Sequence, residues 1–157
     1  MSSASLRQQL KKKHAFESVE QEAMLSILRT SDLLENRLAR LLREFALTPS
    51  QYNVLRILRG EGQPMPCLEV ASRMIQVAPA ITRVVEQLAT RGLIDKQQSA
   101  DDRRVFLVEL TRAGTQLLKK LDSPIESLHT SLLGHVSKSE LRSLVKILET
   151  ARHGIAD

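Results

Sequence analysis

The stretch Ile81–Gly114, ITRVVEQLATRGLIDKQQSADDRRVFLVELTRAG, changes its hydrophobic period twice in one short run. After Ile81, the apolar residues Val84, Val85 and Leu88 follow at the i+3, i+4 and i+7 positions of a helix with one buried face. Gly92 then supplies a residue suited to a left-handed cap, and Leu93 the hydrophobic contact behind it. Leu93–Lys96 and Val105–Leu110 read as two strands, the second β-branched and hydrophobic, joined by the polar run Gln97–Arg104. Helical spacing returns at Thr111, with Leu117, Leu121, Ile125, Leu128 and Leu132 on one face and Pro124 expected to kink it.

Upstream of this stretch, Thr48-Pro49-Ser50-Gln51 is a capping box with proline in the first turn, flanked by Leu47 and Tyr52 as a hydrophobic staple. The helix it opens should bury Tyr52, Leu55 and Leu58 and stop near Gly60-Glu61-Gly62. Gln63–Met65 is extended and a candidate third strand. Pro66 opens a short helix expected to turn Leu68, Ala71 and Ile75 inward. A turn at Gln76-Val77-Ala78 leads to Pro79, expected at the first position of a helix running to Arg91. Two short helices joined by a tight turn and followed at once by a basic-tipped hairpin describe a winged helix-turn-helix.

The ends of the chain read as helix. Residues 1–15 form an arm or a first short helix. From Phe16 to Phe45 the residues Val19, Ala23, Ile27, Leu34, Leu38, Leu41 and Phe45 recur at helical spacing, widened by Leu28, Leu33 and Leu42. So broad an apolar face calls for several packing partners, a second chain among them. Ser137-Lys138-Ser139-Glu140 is a second capping box, opening a helix expected to bury Leu141, Leu144, Val145 and Leu148. The expected class is mainly α: a winged helix-turn-helix with a small β-hairpin wing and N- and C-terminal dimerisation helices. One domain spans residues 1–157, with the winged lobe at about 46–112 and the dimerisation helices at 1–45 and 113–157.

Composition agrees with packed helices, since 42% of the 157 residues are hydrophobic but only 3% aromatic. The 26% charged residues argue for a soluble surface. Lys plus Arg number 23 against 18 Asp plus Glu, a formal charge of +5. That favours an acidic partner such as nucleic acid or anionic lipid, although many proteins of this charge have none. The single cysteine, Cys67, forms no internal disulfide and suits a reducing compartment. No apolar run reaches the ~20 residues of a membrane span. Met1–Lys13 lacks the apolar core of a signal peptide, so a cytoplasmic chain with no membrane partner is expected.

With Ile81 at the centre of the buried face, Pro79, Arg83, Glu86 and Thr90 fall opposite, flanked by Ala80, Thr82 and Gln87. Small residues, a hydroxyl and an arginine suit close approach to a groove, with Arg83 able to pair with guanine or phosphate. An ordinary solvated helix face would look the same. The tip Asp101-Asp102-Arg103-Arg104 places arginines where a loop can enter a minor groove, with Asp102 spaced to hold the Arg104 guanidinium. A solvated charged turn is the competing reading.

The segments LTPSQYNVLRIL, ITRVVEQLATRGLIDK and DDRRVFLVELTRAG resemble, in content, order and spacing, the MarR (multiple antibiotic resistance regulator) family. The likeness runs from about Phe16 to Leu148 and is most specific at Gly92-Leu93, at Asp102 with Arg104, and at Leu110-Thr111 with Gly114. It implies a triangular homodimer that binds operator double-stranded DNA, with interlocked terminal helices and one recognition helix and wing per chain. The recognition-helix contacts then fall on Pro79, Ala80, Thr82 and Arg83. On the wing, Arg104 is the contact, Asp102 its partner and Arg103 its neighbour. Ala78-Pro79-Ala80 lacks the hydroxyl residue often found there, a departure that weakens base readout at those positions. The resemblance also implies a repressor released by a small phenolic or lipophilic anion, bound in the cleft between the dimerisation helices and the winged lobe.

Other features point less far. Cys67 opens the helix before the recognition helix, away from the N-terminal region where oxidant-sensing relatives carry their cysteines, so an inert, half-buried thiol is expected. His14, His129, His135 and His153 form no ligand pair on one helical face, and no metal or cofactor is expected. Lys11-Lys12-Lys13 suits either phosphate contact or plain solvation. No phosphate-binding glycine loop, nucleophile elbow or His-Glu-x-x-His motif is present, which argues against an enzyme. The competing function is a winged-helix module for protein–protein contact without specific DNA binding.

Overall fold

The computed structural model describes residues 4–76 and 80–155. A short helix α1 (Leu6–Gln9) precedes α2 (Val19–Arg43), which starts on Ser18, whose hydroxyl accepts from the Gln21 amide. At the end of α2 the chain turns through Ala46, a left-handed residue at φ 54°. Helix α3 (Pro49–Glu61) has the expected capping box: Thr48 Oγ1 accepts from Gln51 N (3.2 Å) and Thr48 N donates to Gln51 Oε1 (3.0 Å). It ends on Gly62 at φ 72°, the left-handed geometry that glycine adopts without a Cβ penalty.

Strand β1 (Met65–Pro66), helix α4 (Cys67–Ser72), helix α5 (Ile81–Thr90) and strands β2 (Ile94–Gln98) and β3 (Phe106–Leu110) complete the winged lobe. A third strand is present but lies later than the expected Gln63–Met65: β1 pairs antiparallel with β3 through Met65 and Pro66, giving a sheet of order β1-β3-β2. Across the hairpin Ile94 faces Leu110, Lys96 faces Val108 and Gln98 faces Phe106. Helices α6 (Arg112–Leu133) and α7 (Lys138–His153) follow, with α6 running continuously through Pro124.

One core joins these parts. Leu42 of α2, Val54, Leu55 and Leu58 of α3, Val85 and Leu88 of α5, Ile94, Val108, and Leu118 and Leu121 of α6 are almost wholly buried together. Leu118 also belongs to this core, and Leu117, which the helical spacing placed on the apolar face, is half-buried against it.

Two expectations about burial change. Leu68 and Ile75 are 82% and 80% exposed, and Val70 takes the inward position. Helix α4 is only six residues long, so Ile75 lies beyond it; Leu68 sits roughly 200° around from the buried Val70 and must face out. Helix α7 buries none of Leu141, Leu144, Val145 and Leu148 within its own chain. The apolar stripe of α2 is likewise covered only toward its C-terminus, where Leu38, Leu41 and Phe45 pack on the core beside Leu42. The rest of it leaves Val19, Met24, Ile27, Leu28 and Leu33 exposed.

Candidate nucleic-acid interface

Helix α5 is built on the expected stripe, with Ile81, Val85 and Leu88 buried and Val84 half-buried. Its start lies later than expected: Ala80 is the N-cap, outside the helix, and makes no side-chain capping bond. Pro79, expected at the first helical position, lies outside the described residues. Ala80, Thr82 and Arg83 are exposed, as are Glu86, Gln87 and Thr90. At the other end Gly92 adopts φ 67°, and the Leu93 amide donates to the Leu88 carbonyl (3.0 Å), closing the helix as the Gly-Leu pair required.

The helix is seated by polar ties as well as by its core face. Gln51, buried in the first turn of α3, donates through Nε2 to Gln87 Oε1 (3.1 Å). Arg91 Nη1 donates to the Ala46 carbonyl (2.6 Å), in the turn that ends α2. Neither tie was legible in the linear pattern, because each joins residues far apart in sequence.

At the hairpin tip the Asp102 carboxylate accepts from Arg104 three times. Oδ1 accepts from the backbone N (2.9 Å) and from Nε (3.2 Å), and Oδ2 accepts from an Nη (3.2 Å). Asp102 thus fixes the turn and the guanidinium together, while the Arg104 side chain stays 91% exposed. The Arg104 side chain and amide both hold the Asp102 carboxyl below its ordinary range. A carboxylate stabilised in this way keeps the turn fixed above its unfolded pKa and releases it only as pH falls through the lowered value. The tip is closed further by Ser99 N donating to the Val105 carbonyl (2.9 Å) and by Gln98 Nε2 donating to the Arg103 carbonyl. Among the described residues, neither Arg83 nor the exposed Arg103 has an ion-pair partner.

One residue of this region carried no signal along the chain. Lys96 lies on the inward face of β2 between buried Ile94 and exposed Gln98, and it meets Glu86 of α5 in an ion pair. The strand register would have found it, since alternation from Ile94 places Lys96 on the core side. Cys67 stands near the same pair, and burial pushes its thiol above the ordinary range, which disfavours the reactive thiolate. Among the described residues no group of three His, Cys, Asp or Glu side chains is placed to hold a metal ion, and no helix is long and apolar enough to cross a membrane.

Comparison with known proteins agrees with this geometry. Residues 47–106 match the MarR family. A MarR transcription factor from Planctomyces limnophilus is 38% identical, the alignment covering 87% of this chain and 99% of that one, with a TM-score of 0.68. AbsC, a MarR family transcriptional regulator from Streptomyces coelicolor, is 20% identical over 90% of this chain and 98% of its own, with a TM-score of 0.79. BpsR from Bordetella bronchiseptica, whose DNA binding is regulated by 6-hydroxynicotinic acid, is 23% identical over 83% and 98%, with a TM-score of 0.75.

Proposed function

The chain belongs to the MarR family, and from that premise we propose that it is a sequence-specific double-stranded DNA-binding transcriptional regulator, acting as a homodimer. The observation that carries this reading is the wing tip: a guanidinium held in one orientation by Asp102 yet almost wholly open to solvent. Holding a cation rigidly outward lowers the ordering cost of its contact with a partner, and a phosphate backbone or narrow minor groove is the partner such a charge fits. On α5, Thr82 and Arg83 stand exposed in the first turn, where a recognition helix reads base edges. We assign Pro79, Ala80, Thr82 and Arg83 to the recognition helix and Asp102, Arg103 and Arg104 to the wing. Residues 46–112 form the DNA-binding lobe, and 1–45 and 113–157 the dimerisation helices. The finer reading is a repressor released by a small phenolic or lipophilic anion. 6-Hydroxynicotinic acid, which acts on BpsR, is a small aromatic anion, and we carry over that chemical class rather than the molecule.

The two arginines should separate in binding measurements. Arg83→Ala should relax sequence preference, since bidentate pairing with guanine is worth about 1–3 kcal/mol of discrimination. Arg104→Ala should weaken operator and scrambled duplexes by similar factors, because wing contacts supply affinity with only coarse sequence preference. Asp102→Ala should be a milder Arg104→Ala, freeing the guanidinium without removing it. Operator and scrambled affinities at two salt concentrations test all three. An Arg104→Ala protein that bound both duplexes at full strength would remove the wing from the interface. A salt-insensitive protein complex in place of duplex binding would favour the interaction-module reading.

A two-fold dimer places its recognition helices about one DNA turn apart, so footprinting should show half-sites centred ~10 bp apart. Protection of one asymmetric half-site, or variable spacing, counts against the dimeric reading.

A further inference from the structure

Along strand β2, only the base is buried in the core. Ile94 is buried, whereas Asp95, Gln97 and Gln98 are exposed. Lys96 is the exception. It points to the core side, directly across the ladder from fully buried Val108, and its side chain is only 21% exposed. Its ammonium group meets the Glu86 carboxylate of α5 and sits 4.3 Å from the centroid of the Phe106 ring on β3. One side chain therefore touches the recognition helix and both wing strands. Its aliphatic stem covers apolar surface while its charge is shared between a carboxylate and an aromatic face. Glu86 lies on the exposed side of α5 with Arg83 and Thr90, where a free carboxylate would repel phosphate.

We infer that Lys96 is a positioning residue: through Glu86 and Phe106 it locks the angle between the recognition helix and the wing, so that both meet their grooves in one register. This inference rests on the DNA-binding reading above. A wing held at the wrong angle draws the recognition helix off its base edges and so lowers discrimination, whereas non-specific attraction needs only net charge. The two kinds of loss therefore separate.

The test uses the 157-residue chain with Lys96→Met, Glu86→Gln and the double variant, the operator being a duplex that the parent selects from random sequence. Lys96→Met lowers the net charge by one and Glu86→Gln raises it by one, so a purely electrostatic role moves affinities for all duplexes in opposite directions. A positioning role instead lowers the operator-to-scrambled affinity ratio in both single variants, by about 3- to 10-fold. The double variant should lose no more than either single one, because each already opens the same lock. Thermal midpoints should stay within about 2 °C of the parent, as for other partly exposed substitutions. A ratio that holds in either single variant, or that follows the sign of the charge change, overturns the inference while leaving the DNA-binding reading intact. A parent protein with no preference among duplexes overturns that reading and the inference with it.

Discussion

Removal of residues 137–157 is expected to leave a chain that neither pairs with itself nor holds a duplex. Helix α7 has every local signal of a stable helix, including the reciprocal bonds between Ser137 and Glu140, yet buries no residue within its own chain. Leu144, Val145 and Ile147 are 45%, 53% and 64% exposed, and Val19, Met24, Ile27, Leu28 and Leu33 of α2 are similarly bare. Single exposed hydrophobics need no explanation, but two long helices carrying such faces mark an interface. Burying what remains exposed of each of these side chains contributes roughly half of the 1.5–3 kcal/mol that full burial gives, and a two-fold pairing counts each of them twice. Loss of α7 removes a large share of that surface from both partners. A monomer then engages one half-site without the effective concentration that tethers the second, and binds about 10²–10⁴-fold more weakly. Sedimentation and fluorescence anisotropy read the two effects separately. If the truncated chain precipitates, the pair Ile27→Glu and Ile147→Glu makes the same test with α7 in place, since both positions are open to solvent in the single chain. A soluble truncated chain with parental operator affinity is the result that sinks the dimer.

The same faces show what the linear pattern can and cannot disclose. Periodicity located the apolar sides of α2 and α7, because that is a local property, and the breadth of the α2 face called for a further partner without saying which residues would cover it. Helix α5 and the hairpin were legible for the same local reason. Ile81, Val84, Val85 and Leu88 repeat with the helical turn, and Gly92 stops the helix with a left-handed residue. Helix α4 was misread at Leu68 and Ile75 because six residues give too few turns for a stripe to declare itself. The spacing of Asp102 and Arg104 suggested a pair, but not that the same carboxylate also holds the backbone amide. Lys96 was passed over because lysine in a strand reads as outward-facing, although alternation from Ile94 and the register against β3 both turn it inward.

Substituting Gly114 by alanine should be among the most damaging single changes outside the interface. Gly114 is buried in the first turn of α6, where its amide donates to Thr111 Oγ1 (3.1 Å). The Thr111 hydroxyl donates in turn to the Gly92 carbonyl (2.8 Å), and the Thr111 amide to the Leu93 carbonyl (3.2 Å). The Gly-Leu that ends the recognition helix and the Leu-Thr-x-x-Gly that opens α6 are therefore two halves of one contact, at the root of the wing. A Cβ on residue 114 would stand 2.2 Å from the Leu93 carbonyl oxygen and 2.7 Å from Leu110 Cδ1. The first neighbour is backbone and cannot rotate away, so either α6 or the base of the hairpin must shift. Overpacking of this kind costs about 1–3 kcal/mol, which lowers the melting midpoint by roughly 2–12 °C for a chain of this size at fixed protein concentration. Because the shift falls where the wing joins α5, operator affinity should drop even below the melting range. Gly60 provides the control. It lies within α3 with nothing near the position of an added Cβ, so Gly60→Ala should be neutral or stabilise by up to about 1 kcal/mol. Calorimetry on the two variants side by side separates a steric cause from a general intolerance of glycine replacement. Equal midpoints would mean that α6 does not approach the Leu93 carbonyl as closely as this contact requires.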